Sequence, residues 1–174
     1  MAAVPDVKTT GLEGLAPASV ARQLGEQFAA RAAHFDDSDE FVAENYAALR
    51  AAGLVEAGVP KEFGGGGHDV AALSEMLREL AHHCSSTALA FAMHTHQVAI
   101  PAWRWVHQKA APVEPLLKRI AAERIILLSS GGSDWIAGSG TAEKVDGGFR
   151  IFARKGFASG APAGNLLMTT AVGA

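Results

Sequence analysis

The chain has 174 residues, 49% of them hydrophobic, with a formal net charge of -3 and its 15 Lys and Arg scattered along the sequence. A chain of this size and polarity buries a real core, and its unclustered basic residues leave no electrostatic footprint for nucleic acid or an anionic membrane surface. The single Cys84 excludes an intramolecular disulfide and a cysteine-based zinc cluster, reads as a small buried apolar residue, and suits a reducing, cytoplasmic compartment.

Residues 1–14, small and polar with Gly11 and Gly14, read as a flexible leader without the basic and apolar segments of a signal peptide. No stretch of about 18 uncharged apolar residues occurs, so no membrane span is expected. From Ser19 to Phe35, Val20, Leu24, Phe28 and Ala32 recur at every fourth position and lay one apolar stripe along a helix. Asp37-x-x-Glu40 resembles a capping box opening a second helix that reaches Ala52, with Gly53 as its stop. Pro60 and the run Gly64 to Gly67 then demand a loop. Asp69 caps a helix from Val70 to Cys84, and Ser85-Ser86 separate it from a nearly uncharged helix, Thr87 to Ile100, expected at the centre of a bundle. Pro101 ends or kinks that helix, with two further turns to Gln108, and a last helix covers Glu114 to Glu123.

After Arg124 the period changes. Ile125 to Leu128 is a continuous apolar run that fits a buried strand. Thr141 to Val145, the turn at Asp146-Gly147-Gly148, and Phe149 to Ala153 predict a hairpin, and Leu166 to Val172 one more strand. With no following strand, that last one is expected to be an unpaired edge exposing apolar surface. The fold class is therefore α+β, with helices over residues 15–123 and strands over 124–174.

Few constellations carry chemistry by themselves. Adjacent His82 and His83, and His94 and His96 two apart, point in different directions on a helix. Glu79-x-x-His82 is half of a di-iron carboxylate pattern whose second half is absent, so no metal site is assigned. The glycine run lacks the Lys-Ser/Thr of a P-loop and reads as a turn, with Lys61 and Glu62 as solvated charges. No Gly-x-Ser-x-Gly elbow supports a hydrolase. Trp103 and Trp105 read as packing at a helix end rather than a platform for bases.

Three segments taken in order, Pro60-Lys-Glu-Phe-Gly-Gly-Gly-Gly67, then Gly132-Ser133-Asp134 ahead of Thr141-Ala142-Glu143, then the hairpin followed by Lys155-Gly-Phe157-Ala-Ser159, together resemble the acyl-CoA dehydrogenase family of flavoproteins. The resemblance implies an α-helical domain, a middle antiparallel β-domain and a C-terminal four-helix bundle, of which this sequence carries the first and part of the second. It implies FAD, or FMN in its place, and α,β-dehydrogenation of an acyl-CoA thioester, with electron-transfer flavoprotein or oxygen as acceptor and a homo-oligomeric full-length form. Phe157 is similar to the family's aromatic on the flavin and Ser159 to its hydroxyl residue near flavin N5. Ser133 is similar to a serine near the thioester. The family's Thr-Glu-Pro-x-x-Gly-Ser-Asp is shortened here to Ser129-Ser-Gly-Gly-Ser-Asp134, so either Ser129 or Ser130 stands for its flavin-contacting threonine.

His94 and Thr95 fall where relatives line the substrate pocket, with ordinary helix packing the alternative. A histidine there is also similar to flavin-dependent monooxygenases of the same fold. The family's catalytic carboxylate belongs to the C-terminal domain, so no catalytic residue is assigned. The isolated chain is expected to be an incomplete, catalytically inert portion or a non-catalytic helical binding module.

Overall fold

The computed structural model describes residues 14–173, so the expected leader lies, but for Gly14, outside the described residues. Helix α1 (Pro17–Asp37) starts on a proline, which gives up no hydrogen bond in a first turn, and buries Val20, Leu24 and Phe28 as the four-residue spacing predicts. Helix α2 (Ala43–Ala51) follows, then α3 (Val70–His83), whose cap is Asp69 accepting from the Ala72 amide at 2.9 Å. Helix α4 (Ser85–Gln108) runs unbroken through Pro101, and α5 (Glu114–Glu123) ends at Arg124, which takes a left-handed φ of 49°.

Two helix boundaries differ from expectation. The capping box does not form, because Asp37 is still inside α1 and the Ser38 hydroxyl, not Asp37, accepts from the Glu40 amide at 3.4 Å. The break between α3 and α4 is Cys84 alone, extended at φ -155° and ψ 100°, and Ser85-Ser86 form the first turn of α4. Cys84 is buried, as its composition suggested.

Strand β1 (Leu127–Ser129) is followed by a short helix α6 (Gly132–Ala137), strands β2 (Thr141–Val145) and β3 (Gly148–Phe152), and two short strands β4 (Leu166–Met168) and β5 (Val172–Gly173). The order of helices before strands is as expected, and the hairpin forms where its turn predicted, with Val145 opposite Gly148. The pairing, however, is mixed. β4 runs parallel to β1, with Leu127 opposite Leu166, and β5 runs parallel to β2, with Thr141 opposite Val172.

The predicted single strand Leu166 to Val172 is thus two strands in two sheets, parted by Thr169 and Thr170, whose polar atoms turn to Asp134. Among the described residues each of the two is an edge strand paired on one side only, and Leu167 and Val172 on them are exposed, with further exposed apolar side chains on the hairpin and beyond it at Phe149, Ile151, Phe152 and Phe157.

The core has two centres, and the short apolar run joins them. Ile126 packs with Phe28, Leu49, Met76 and Phe91 among α1 to α4, while Ile125 and Leu127 pack with Val98, Leu117 and Ile120 between α4 and α5. Successive residues of an extended chain point to opposite sides, so one strand entry serves both centres. Each large side chain so buried contributes about 1.5–3 kcal/mol. Among the described residues no helix is long and apolar enough to cross a membrane.

Candidate functional site: a cleft between helix α4 and strand β1

Helix α4 carries the polar residues that matter. His94 is 1% exposed, and both ring nitrogens are engaged by backbone. Nε2 lies 2.9 Å from the Val55 carbonyl, which can only accept, and Nδ1 lies 3.0 Å from the Leu127 amide, which can only donate. These partners fix the neutral Nε2–H tautomer. Burial pushes the imidazole down to about 4 from 6.5, opposed by the Val55 contact. The Thr95 hydroxyl donates to the Phe91 carbonyl at 3.0 Å, one turn back. The structure places both residues in packing of α4 against its neighbours, with no ring nitrogen of His94 left for a ligand.

One turn further, α4 forms a wall of a 570 Å³ cleft whose other wall is the end of β1 and the start of α6. Met93, Ile100, Trp135 and Met168 make its surface largely apolar. Gln97 lines it too, is 3% exposed, and has neither its amide nitrogen nor its amide oxygen hydrogen-bonded. A buried polar group left unpaired costs about 1–3 kcal/mol, so this amide is destabilising as it stands. Pro101, four residues on, has no N–H to give to the Gln97 carbonyl, which removes the usual helical donor as well.

Opposite Gln97, the Ser129 oxygen accepts from the Trp135 indole at 3.3 Å and from the Gly131 amide at 3.4 Å. Its own hydroxyl proton remains available to donate into the cleft.

Ser130 points elsewhere. Its hydroxyl donates to the Asp134 carboxylate at 2.5 Å, within a cluster in which Lys155 Nζ donates to both carboxylate oxygens at 2.8 and 2.9 Å. Ser139 donates to the same carboxylate, and Lys155 also donates to the carbonyls of Ser139 and Thr170 at 2.7 and 2.5 Å. Only 5% of the Asp134 side chain and 10% of the Lys155 side chain are exposed. Lys155, then Ser130 and Ser139, hold the Asp134 carboxyl well below the usual carboxylate range. The cluster ties α6, the segment after β3 and the β4–β5 junction together.

The four flavin candidates do not share one cavity. Ser129 faces the α4 cleft, Ser130 and Phe157 line a 330 Å³ groove above Asp134, and Ser159 lines a third, 340 Å³, beside Phe35 and Leu89. Gly131 connects the first two, since a Cβ on it would lie 3.7 Å from the Phe157 Cβ. Ser133 belongs to α6, and its side chain lies outside the described residues.

Gln97 and the Asp134–Lys155 pair were missed by sequence reasoning. A carboxamide four residues before a proline on an otherwise apolar helix was the available sign of the first. Asp134 and Lys155 both stood inside quoted motifs, but nothing in their separation announced a buried pair.

The remaining motifs are absorbed by the fold. The amides of Gly64, Gly65, Gly66 and Gly67 donate to the carbonyls of Lys61, Pro60, Glu56 and Val59, so none of them is free for an anion. Glu79 accepts from Arg22 at 2.8 Å and joins α3 to α1. Trp105 packs on Phe63 with ring centroids 4.9 Å apart, and Trp103 on His107 at 5.2 Å.

A model of the family described as acyl-CoA dehydrogenase, N-terminal domain, matches residues 15–118. Dibenzothiophene monooxygenase of Rhodococcus erythropolis is 28% identical over 170 residues, which cover 90% of this chain and 38% of that relative. The solved structure of methanesulfinate monooxygenase MsuC from Pseudomonas fluorescens superposes with a TM-score of 0.77 at 25% identity, over 91% of this chain and 40% of that one. KijD3 in complex with FMN and a dTDP-sugar gives a TM-score of 0.75 at 25% identity, over 97% of this chain and 44% of that one. The chain spans less than half the length of the relatives it matches.

Proposed function

This chain belongs to the acyl-CoA dehydrogenase family, and from that premise we propose that it forms the helical wall and the adjoining strands of a flavin-dependent oxidoreductase site. The observation that carries the proposal is the α4 cleft, apolar on its broad surfaces and polar only at a few points, the usual make-up of a site for a flat organic ring. The unpaired amide of Gln97 and the free proton of Ser129 fit a flavin or a planar substrate better than an empty structural gap. FMN, which KijD3 binds in its solved structure, is the cofactor this reading favours, with FAD the alternative.

A flavin supplies two-electron redox chemistry, taking hydride from a substrate or passing electrons to oxygen. This chain's own residues position and shield. Ser129 donates one hydrogen bond, with its oxygen fixed by Trp135 and Gly131 so that the hydroxyl proton has one direction left. Met93, Ile100 and Met168 exclude water from the ring faces. Asp134 and Lys155 hold the Ser129–Gly132 segment in register with the stretch carrying Phe157.

Between the two chemistries, oxygen-dependent monooxygenation is favoured, because dibenzothiophene monooxygenase and methanesulfinate monooxygenase MsuC are similar to this chain over about nine-tenths of its length. Dehydrogenation of an acyl-CoA thioester is the second reading, supported by the family assignment. A titration of the chain with FMN and FAD, followed by flavin fluorescence, tests the shared part. Quenching is expected, and Ser129→Ala weakens it about 3- to 10-fold, one hydrogen bond's worth. Absence of quenching with both flavins refutes the proposal. In the full-length protein, NADH-driven flavin reduction followed by oxygen consumption coupled to a thiophene substrate supports monooxygenation. Anaerobic bleaching of the flavin by an acyl-CoA supports dehydrogenation.

A further inference from the structure

We propose that Gln97 is the specificity-determining polar contact of the α4 cleft, and that the cleft takes a flat, largely apolar molecule carrying a lactam-type edge, a donor N–H beside an acceptor carbonyl. The inference rests on the cleft being the ligand site of the oxidoreductase described above.

Its first support is the amide itself. Gln97 is 3% exposed, and its Oε1 and Nε2 are covered and without a hydrogen-bond partner among the described residues, so they meet a ligand through a turn of the side chain toward the cleft it lines, while the other buried polar residues of α4, Thr87, His94 and Thr95, are all hydrogen-bonded. A glutamine amide offers an acceptor and a donor side by side. The complementary partner is a donor next to an acceptor, which a lactam, an imide or the pyrimidine ring of a flavin presents.

The second support is the setting. Met93, Ile100, Trp135 and Met168 give the cleft its apolar surface, and beside the polar side chains of His96, Arg104 and Ser129 that also line it, Gln97 is the one that offers a donor next to an acceptor on a single planar group. A site built to hydrogen-bond a polar edge discriminates strongly against an isostere that lacks it, because its own polar groups are then left unpaired.

The third support is that, among the described residues, nothing bonds the amide. His94, three residues earlier on the same helix, binds Val55 and Leu127 through both ring nitrogens, whereas Gln97 binds neither backbone nor side chain. A buried unpaired amide detracts from stability, and a residue of that kind is expected where function requires it.

The test uses the full chain and three probes, 2-oxindole, indene and FMN, by isothermal titration. 2-Oxindole and indene share a fused bicyclic frame, but only the first has the lactam edge. The wild type is expected to bind 2-oxindole at least ~10-fold more tightly than indene, a difference of about 1.4 kcal/mol, and Gln97→Met to bring the two within about 2-fold. Without ligand, Gln97→Met is expected to melt at or above the wild-type temperature, since it removes an unpaired polar group and keeps the volume.

If FMN displaces 2-oxindole and Gln97→Met weakens both, the edge read is the flavin's. If the two bind together and only 2-oxindole responds to the substitution, it is the substrate's. FMN failing to bind while the 2-oxindole preference persists removes the flavin reading and leaves Gln97 in its role. A wild type indifferent to the edge, a wild type binding neither 2-oxindole nor FMN, a Gln97→Met variant that keeps the preference, or one that melts well below the wild type overturns the inference.

Discussion

Acidification should destabilise this protein through one imidazole, well before its carboxylates are involved. His94 is neutral in the native state because burial holds it at about 4, whereas in the unfolded chain it titrates near 6.5. As the pH falls below 6.5 the unfolded chain takes up the proton and the native state does not, so the contribution is full above that value and lost on the way down to about 4. One proton at 1.36 kcal/mol per unit gives a loss of about 2 kcal/mol at pH 5 and about 3 kcal/mol near pH 4, relative to pH 8. Against a typical total of about 5–15 kcal/mol this is readily measured.

Urea unfolding of the wild type and of His94→Gln at several pH values between about 5 and 8 isolates the effect. Glutamine can donate to the Val55 carbonyl and accept from the Leu127 amide, yet does not titrate. The variant should therefore lose less stability than the wild type between pH 8 and 5, by about 2 kcal/mol. Parallel pH dependences in the two proteins would refute the argument, since the native imidazole would then be no harder to protonate than the unfolded one.

Lys155→Met should leave the Asp134 carboxylate buried without its cation and lower the melting temperature by more than Arg78→Ala, which breaks an exposed pair with Glu75. Because Asp134 is held below its ordinary 3.8, the deficit is full at neutral pH and narrows below that value, where the wild type begins to lose the pair's contribution; equal melting of the two variants would contradict this. Gly65→Ala would set a Cβ 2.3 Å from the Val59 carbonyl and should cost about 1–3 kcal/mol by chemical denaturation. Gly132→Ala meets nothing within 4 Å and should be neutral or stabilising by about 0.4–1 kcal/mol, so an inverted order of the two would count against the loop's packing.

The helices were legible where periodicity and capping agreed. Asp69 before an amphipathic run located α3, and the four-residue recurrence of Val20, Leu24 and Phe28 located α1. The hairpin was legible because Asp146-Gly147-Gly148 admits a tight turn. Leu166 to Val172 misled because the two threonines in its middle are themselves at home in strands and carry no mark of a change of partner. That change is made by Thr169 and Thr170 turning to a carboxylate 35 and 36 residues away in sequence.

Asp37-x-x-Glu40 misled because α1 had enough favourable burial, down to Phe35, to continue past a polar cluster. In the site, the motifs brought attention to Ser129 and Ser130 but could not say that one hydroxyl is free to donate and the other is consumed by Asp134. Gln97 was beyond reach from periodicity, since its importance lies in bonds that it does not make.

The parallel pairing of β4 with β1 has a kinetic consequence. The amide of Ile126 meets the side chain of Asn165 across 39 residues, and the stretch between them, α6 and the hairpin included, is an excursion closed by this contact line, by the Lys155 cluster and by the packing of residues 159–163 on the helices. Closing so long a loop comes late in folding, after the helices have supplied a surface to close upon. Native-state hydrogen exchange should then find the excursion opening as its own cooperative unit, at lower free energy than α1 and α3, while Leu127 and Leu128 exchange with the helical body.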